Sequence, residues 1–392
     1  MITLLSKLII ENKNLSESKK RSLYGTLCGF VGIFLNFCLF AFKYFAGTVS
    51  GSIAITADAF NNLSDAGSSF ITLAGFVYAE KKPDEDHPFG HGRFEYISGF
   101  IVSVIILIMG VELAKTSVEK VLHPTDVTSD VLTMVILVCS ITVKLYMCFY
   151  NRRVGKKIDS AAMKATALDS LSDVVATSVV LLSMIVIKFF GVNLDGFGGI
   201  AVSLFILYTG YNAAKDSMKP LLGTQPDLET VEKIEEIVLS HDVILGMHDL
   251  IVHDYGPERL IISLHAEVSG NENIFKIHSA IDHIEEELSH RLGCEAVIHM
   301  DPIESDNEVI NKAKEAVTNE IANKISDKIS IHDFRMVVSG EHTNVIFDAS
   351  VPFEIKQSDK EIKSEIVRCV RDVNSSYRAI VKIDRAYTIS RV

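Results

Sequence analysis

Two stretches place acidic and amide side chains at helical spacing inside apolar sequence: ADAFNNLSDAG at 57–67 and ATALDSLSDVVATSVV at 165–180. Asn61 and Asp65 are four residues apart in the first, and Asp169 and Asp173 are four apart in the second. On a helix that spacing puts both side chains of a pair on one face, with Cβ atoms about 5–6 Å apart. Where two such faces meet, four oxygen-bearing side chains converge. An ionised Asp at bilayer depth costs at least ~2.5–3.5 kcal/mol, so Asp65, Asp169 and Asp173 require compensation, which a divalent cation supplies. Hydrogen bonding to neighbouring helices accounts for Asn62, Ser64, Ser170 and Ser172. It does not account for three carboxylates with no Lys or Arg expected at the same depth. Asp58, one turn outward, and Asp195, at the start of a later apolar segment, suit either an outer cation funnel or ordinary capping.

The elements that must carry these residues are membrane helices. The 392 residues are 48% hydrophobic, and the apolarity is concentrated before Leu222, with charged, patterned sequence after Pro226. Six segments, near 24–46, 52–79, 95–118, 130–150, 161–190 and 197–214, are long enough to cross roughly 30 Å of hydrocarbon. Lys19, Lys20 and Arg21 precede the first. Lys81, Lys82 and Arg93 lie between the second and third, Arg152, Arg153, Lys156 and Lys157 between the fourth and fifth, and Lys215 and Lys219 follow the sixth. The alternate loops GTVSGS, HPTDVTSD and GVNLDG contain none. The positive-inside rule then places both termini in the cytosol of a multi-pass cell-membrane protein. Residues 1–22 read as a cytosolic amphipathic lead-in, because no small-residue cleavage site follows the apolar start.

A net charge of −12 disfavours nucleic acid as a partner. Six scattered cysteines without CxxC spacing fit core filling better than disulfides or a thiolate site. The soluble part repeats itself: MHDLIVHDYGPERLIISLHAEV (247–268) and IHDFRMVVSGEHTNVIFDASV (331–351) both open on an apolar residue and His-Asp, alternate, turn and alternate again. Helical stretches precede them (228–240, 307–324) and follow them (274–292, 358–374), and each unit ends in a short strand. The pattern predicts duplicated α/β modules at 226–304 and 305–392 behind a transport domain at 23–222.

The two intramembrane pairs, HPFGHGRFE in the second loop and the His-rich first module together resemble the cation diffusion facilitator family over residues 20–303. The resemblance implies six transmembrane helices, a cytosolic ferredoxin-like domain, here duplicated, and a homodimer exporting divalent metal. It puts the transport site on Asn61, Asp65, Asp169 and Asp173. Many zinc-transporting members carry His at the first position of one or both pairs, so Asn61 and Asp169 resemble a manganese-type branch. The chemistry of the donors agrees: zinc favours nitrogen and sulfur, and an all-oxygen set suits harder ions. Mg²⁺ sheds water reluctantly and Ca²⁺ wants six to eight ligands, which leaves Mn²⁺ the best fit and Fe²⁺ next, with Zn²⁺ or Co²⁺ able to leak through.

Exchange for protons is expected, with an Asp carrying the proton in the absence of a site histidine. Asp84, His87 and His91 in the second loop are either a further metal site, as the family allows, or a solvated cluster. His248, His265, His278, His299 and Asp301 match the family's cytosolic binuclear site. The second module keeps His332, Asp348 and Asp384 but has Lys382 opposite His299, which suits a structural or dimer-forming role. No enzyme is expected. The rival readings are a membrane-anchored metal sensor, which needs no carboxylates in the bilayer, and an intramembrane aspartyl protease, for which no GxGD-like stretch is present.

Overall fold

A computed structural model describes residues 17–50, 53–123, 131–190, 195–257, 259–304, 307–339 and 342–386. Most of the expected lead-in at 1–22 lies outside them. The described chain begins with six long helices: α1 Glu17–Ser50, α2 Ile53–Ala79, α3 Phe94–Leu122, α4 Val131–Lys157, α5 Ala161–Phe190 and α6 Asp195–Leu222. Among the described residues, five of these helices are long and apolar enough to cross a membrane. The exception is α2: its 27 residues suffice in length, but Asp58, Asn61, Asn62 and Asp65 lower its hydropathy. The outward faces keep large apolar side chains exposed, Phe45, Phe190 and Tyr208 among them, as a surface solvated by lipid requires.

Helix α1 packs on α2 along a stripe of small residues. A Cβ on Gly25 would meet the Phe76 ring at 2.4 Å, and one on Gly29 would meet Leu73 Cβ at 2.8 Å. The absence of side chains there lets the two backbones approach, the usual solution where no hydrophobic effect drives helices together. One core gathers Tyr24, Cys28 and Val31 of α1, Phe76 of α2, Met147 and Tyr150 of α4 and Met163 of α5. Another joins Val102 and Ile106 of α3 to Ala165 of α5 and Val202 and Ile206 of α6. Helices α2 and α5 are thus held from both sides, which fixes the faces bearing their acidic residues.

The chain divides into two compact units, Met1–Thr224 with Asp254–Pro257, and Gln225–His253 with Glu258–Val392. The second unit contains the same order of elements twice. First come α7 Leu228–Leu239, β1 Ile244–Asp254, β2 Leu260–Ser269, α8 Ile274–Leu292 and β3 Cys294–Ile303. Then follow α9 Glu308–Lys324, β4 Ser330–Ser339, β5 His342–Pro352, α10 Asp359–Val373 and β6 Tyr377–Ala386. The sheets run β1-β2-β3 and β4-β5-β6, with the outer pairs β2/β3 and β5/β6 parallel. Caps begin the helices where the sequence supplies them. Asp227 accepts from the Thr230 amide, and Ser358 with Glu361 forms a capping box. The buried side chains of each sheet close on its own helices, around Ile234, Ile262 and Leu288 in the first and Val317, Phe347 and Ile366 in the second.

Both His-Asp dipeptides adopt one local conformation. Asp249 has φ 51° and Asp333 has φ 50°, the left-handed region that Asp tolerates better than most residues. In the second module the strand register shifts between His332 and Arg335. The local twist turns the preceding histidines inward, leaving His248 and His332 only 3% and 2% exposed.

Candidate metal-transport site

Asp65 on α2 and Asp169 and Asp173 on α5 come together as the spacing predicts: one carboxylate oxygen from each lies within 4.8 Å of the others. Asp65 and Asp169 are each 4% exposed. Asn61 lines the same cavity, of about 620 Å³, but is exposed. Asn62, assigned from sequence to ordinary helix hydrogen bonding, is buried and donates through Nδ2 to Asp65 Oδ2 at 3.3 Å. It orients that carboxylate from within the same helix.

One premise of the sequence reading fails. Lys144 of α4 lies at the depth of the three acids, with Nζ 2.6 Å from Asp65 Oδ2 and 2.5 Å from Asp173 Oδ2. A second lysine, Lys43 of α1, is 2% exposed and reaches Asp58 Oδ2 at 2.8 Å. Asp58 is therefore one half of an ion pair inside the helix bundle, which removes the simple capping alternative. The side chain of Asp195 lies outside the described residues. Both lysines escaped the sequence reading because an apolar window absorbs a single cation without losing its character as a span. The available signal was charge balance: three acids without partners, and one lysine at the centre of LVCSITVKLYMCFY.

The cavity runs from the acids along one half of the bundle. Its lining includes Lys43, Asp58, Glu112, Thr133 and Met184, all toward the α1–α2, α3–α4 and α5–α6 connections. Toward the opposite end α2 and α5 are joined by the buried hydroxyls of Thr72 and Thr166, 2.8 Å apart. The described cavity thus reaches the acids from the half of the bundle that holds Lys43, Asp58, Glu112, Thr133 and Met184.

The second loop makes a turn around Asp84, whose two oxygens lie 3.3 Å from His87 Nδ1 and 3.3 Å from His91 Nε2. Pro88 and Gly90 exclude a helix, yet the rings approach to 4.6 Å between centroids because the turn folds back on itself. The His87 amide donates to Asp84 Oδ1 and holds that carboxyl below its ordinary range. Asp84, His87 and His91 thus form a compact three-ligand group.

In the first of the two α/β modules Asp301 is the hub. Its Oδ2 lies 2.8 Å from His265 Nδ1 and 3.1 Å from His248 Nε2, and its Oδ1 lies 3.4 Å from His299 Nε2. Sheet register explains this: His265 sits directly across from His299, two residues from the Glu267–Asp301 rung. His278 is on α8, exposed, with Nδ1 3.1 Å from Asp282. Sequence reasoning missed two neighbours of the hub. Asp249 groups with His248 and His265, and His332 of the second module stacks on His248 with centroids 4.7 Å apart and planes 15° from parallel. The Asp333 amide donates to Glu267 Oε1 at 3.2 Å beside them. Across the second sheet Lys382 faces Asp348 and reaches Asp384 at 2.9 Å, so an ammonium occupies the place His299 holds in the first.

The two stacked rings are biased in opposite directions. Burial opposes charge on His248, but Asp249, Asp301 and Glu267 outweigh it and hold His248 above its usual range. Burial, reinforced by the charge on His248, pushes His332 down to about 4. A folded value below the unfolded one of about 6.5 means His332 contributes stability above that pH and loses it as pH falls toward 4. His332→Gln is expected to remove up to about 2 kcal/mol of the acid destabilisation between pH 7 and 5. Urea unfolding of the cytosolic unit in the detergent-solubilised full chain reads it. An unchanged pH dependence overturns the assignment.

Comparison with known proteins follows the same division of the chain. Residues 29–222 match the model of the cation efflux transmembrane domain, and residues 226–303 match that of the cation efflux protein cytoplasmic domain. An uncharacterised transporter of Methanocaldococcus jannaschii is 31% identical over 270 residues, covering 69% of this chain and 95% of its own. The cation-efflux pump FieF of Escherichia coli (strain K12 / DH10B) is 26% identical over 265 residues, covering 67% of this chain and 88% of its own. The chain belongs to the cation diffusion facilitator family: it is a multi-pass membrane cation-efflux transporter, and not an enzyme.

Proposed function

We propose that this transporter exports Mn²⁺ from the cytosol in exchange for protons, through a site made by Asn61, Asp65, Asp169 and Asp173. The observation that carries the reading is the convergence of three carboxylates from α2 and α5 at the end of a cavity. The donors are oxygen, which favours a hard dication over zinc. With all groups ionised, the three carboxylates outweigh the Lys144 ammonium and leave a net charge of −2 before metal arrives, which draws in a dication. Mn²⁺ lies at the bottom of the affinity order, so Fe²⁺, Co²⁺ and Zn²⁺ remain competitors and discrimination must come from donor type and cavity shape.

In this reading all six long helices span the cell membrane, α2 included, because its polar residues face the other helices. Both termini are cytosolic. The two cytosolic modules are ferredoxin-like duplicates, and the chain works as a homodimer. The Asp84 and Asp301 clusters bind further metal on the cytosolic side. Protons serve as counter-ions because crowded carboxylates retain one when the metal leaves.

Metal uptake into inside-out vesicles, with Mn²⁺, Fe²⁺, Zn²⁺ and Co²⁺ in competition, tests the proposal. Mn²⁺ uptake is expected to dominate and to accelerate when the lumen is acid. Indifference to the pH gradient removes the exchange, and preference for Zn²⁺ removes the metal assignment.

A further inference from the structure

We propose that Lys144 is a tethered counter-cation, whose ammonium fills the transport site when no metal is bound and must be expelled before a metal loads. The inference rests on the site assignment above and adds to it the residue that sets its affinity.

The geometry is specific. Nζ touches Asp65 Oδ2 on α2 and Asp173 Oδ2 on α5, so it bridges the two helices whose pairs define the site. Its side chain is 3% exposed, and both contacts are of the short, charge-assisted kind. These are the oxygens a metal joining α2 to α5 would take. A dication there and an ammonium within hydrogen-bonding reach of the same two atoms repel one another with little water to screen them, so occupancy is exclusive. Asp169, the third acid, brings an oxygen within 4.8 Å of the other two carboxylates and is the ligand that the Lys144 bridge between Asp65 and Asp173 does not use, so it meets an arriving ion first. The adjoining cavity supplies the room into which the flexible lysine stem withdraws.

A built-in competitor has a defined consequence. The apparent affinity for metal falls by the fraction of time the site is free of lysine. On the side where the cavity opens, the returning ammonium displaces the ion and prevents its recapture. Lysine suits this exchange better than arginine: it offers a compact charge on a flexible stem, whereas a guanidinium fork would grip two carboxylates at once.

The test uses the full chain in proteoliposomes, with Mn²⁺ as the probe and initial rates over a concentration series. Lys144→Met is expected to lower KM roughly tenfold and to lower kcat as well, because loading is unopposed and release unassisted. Lys144→Arg is expected to raise KM. In detergent, Mn²⁺ should raise Tm more for Lys144→Met than for the wild type, since the metal then replaces a missing partner of buried acids. A lysine that only braces the bundle predicts otherwise: an unchanged or higher KM for Lys144→Met, with Lys144→Arg equal to wild type. Either result overturns the proposal. Should the Met variant fail to fold, an Arg variant with wild-type KM suffices to overturn it. Failure of the underlying reading looks different: the wild type itself then moves no divalent metal.

Discussion

Asp173→Asn is expected to reduce metal efflux at least a hundredfold, corresponding to about 2.7 kcal/mol of lost transition-state or binding free energy. The substitution keeps the size and an oxygen donor but removes one of the charges that converge on the ion. It also removes one of the two carboxylates holding Lys144, leaving that ammonium with Asp65 alone at hydrogen-bonding distance. With one acid fewer, the pocket attracts a dication less strongly and offers it a weaker set of ligands. Asp173→Asn leaves the Thr72–Thr166 contact and the cores on either side of α5 untouched, so the protein should still reach the membrane. Vesicle uptake normalised to protein in the membrane is the measurement. Wild-type flux in this variant, or in Asp65→Asn, would sink the site assignment, and a loss confined to protein level would mark Asp173 as structural.

The residues readable from sequence were those whose chemistry conflicts with their surroundings. Carboxylates spaced i, i+4 in apolar sequence announce a polar face, and α2 and α5 deliver Asp65, Asp169 and Asp173 to one place. The helical stretch expected at 274–292 appears as Ile274–Leu292, where Asn273 caps the start and Gly293, at φ 65°, ends it. Long periodic helices with such signals carry their own boundaries. What escaped were partners contributed by a third element. Lys144 is one cation in an apolar helix, and no spacing rule connects α4 to α2 or α5, because their meeting depends on tertiary packing. His332 escaped for the same reason: its likeness to His248 is visible as a repeat, but their stacking requires the two modules to face one another. His278 is exposed on α8, where its ring lies beside Asp282; a match by position does not aim a side chain.

The second large effect concerns which metal passes. Replacing Asn61 by His and Asp169 by His together is expected to shift the Zn²⁺ to Mn²⁺ uptake ratio about a hundredfold, tenfold from each ion, or about 1.4 kcal/mol on each side. Two imidazoles joined to Asp65 and Asp173 make a mixed nitrogen and oxygen set that zinc accepts in a tetrahedron, whereas Mn²⁺ gains nothing from the softer donors and loses a carboxylate. The exposed Asn61 on the cavity wall has space to become the longer side chain, while buried Asp169 does not. The single variants therefore separate packing from chemistry: Asn61→His alone should raise zinc uptake modestly, and Asp169→His alone should mainly lower flux. Competition between the two ions in vesicles reads all three variants. If the double variant transports with the wild-type ratio, donor type does not govern selection, and discrimination must be sought instead in how far Lys144 lets each ion approach Asp65 and Asp173.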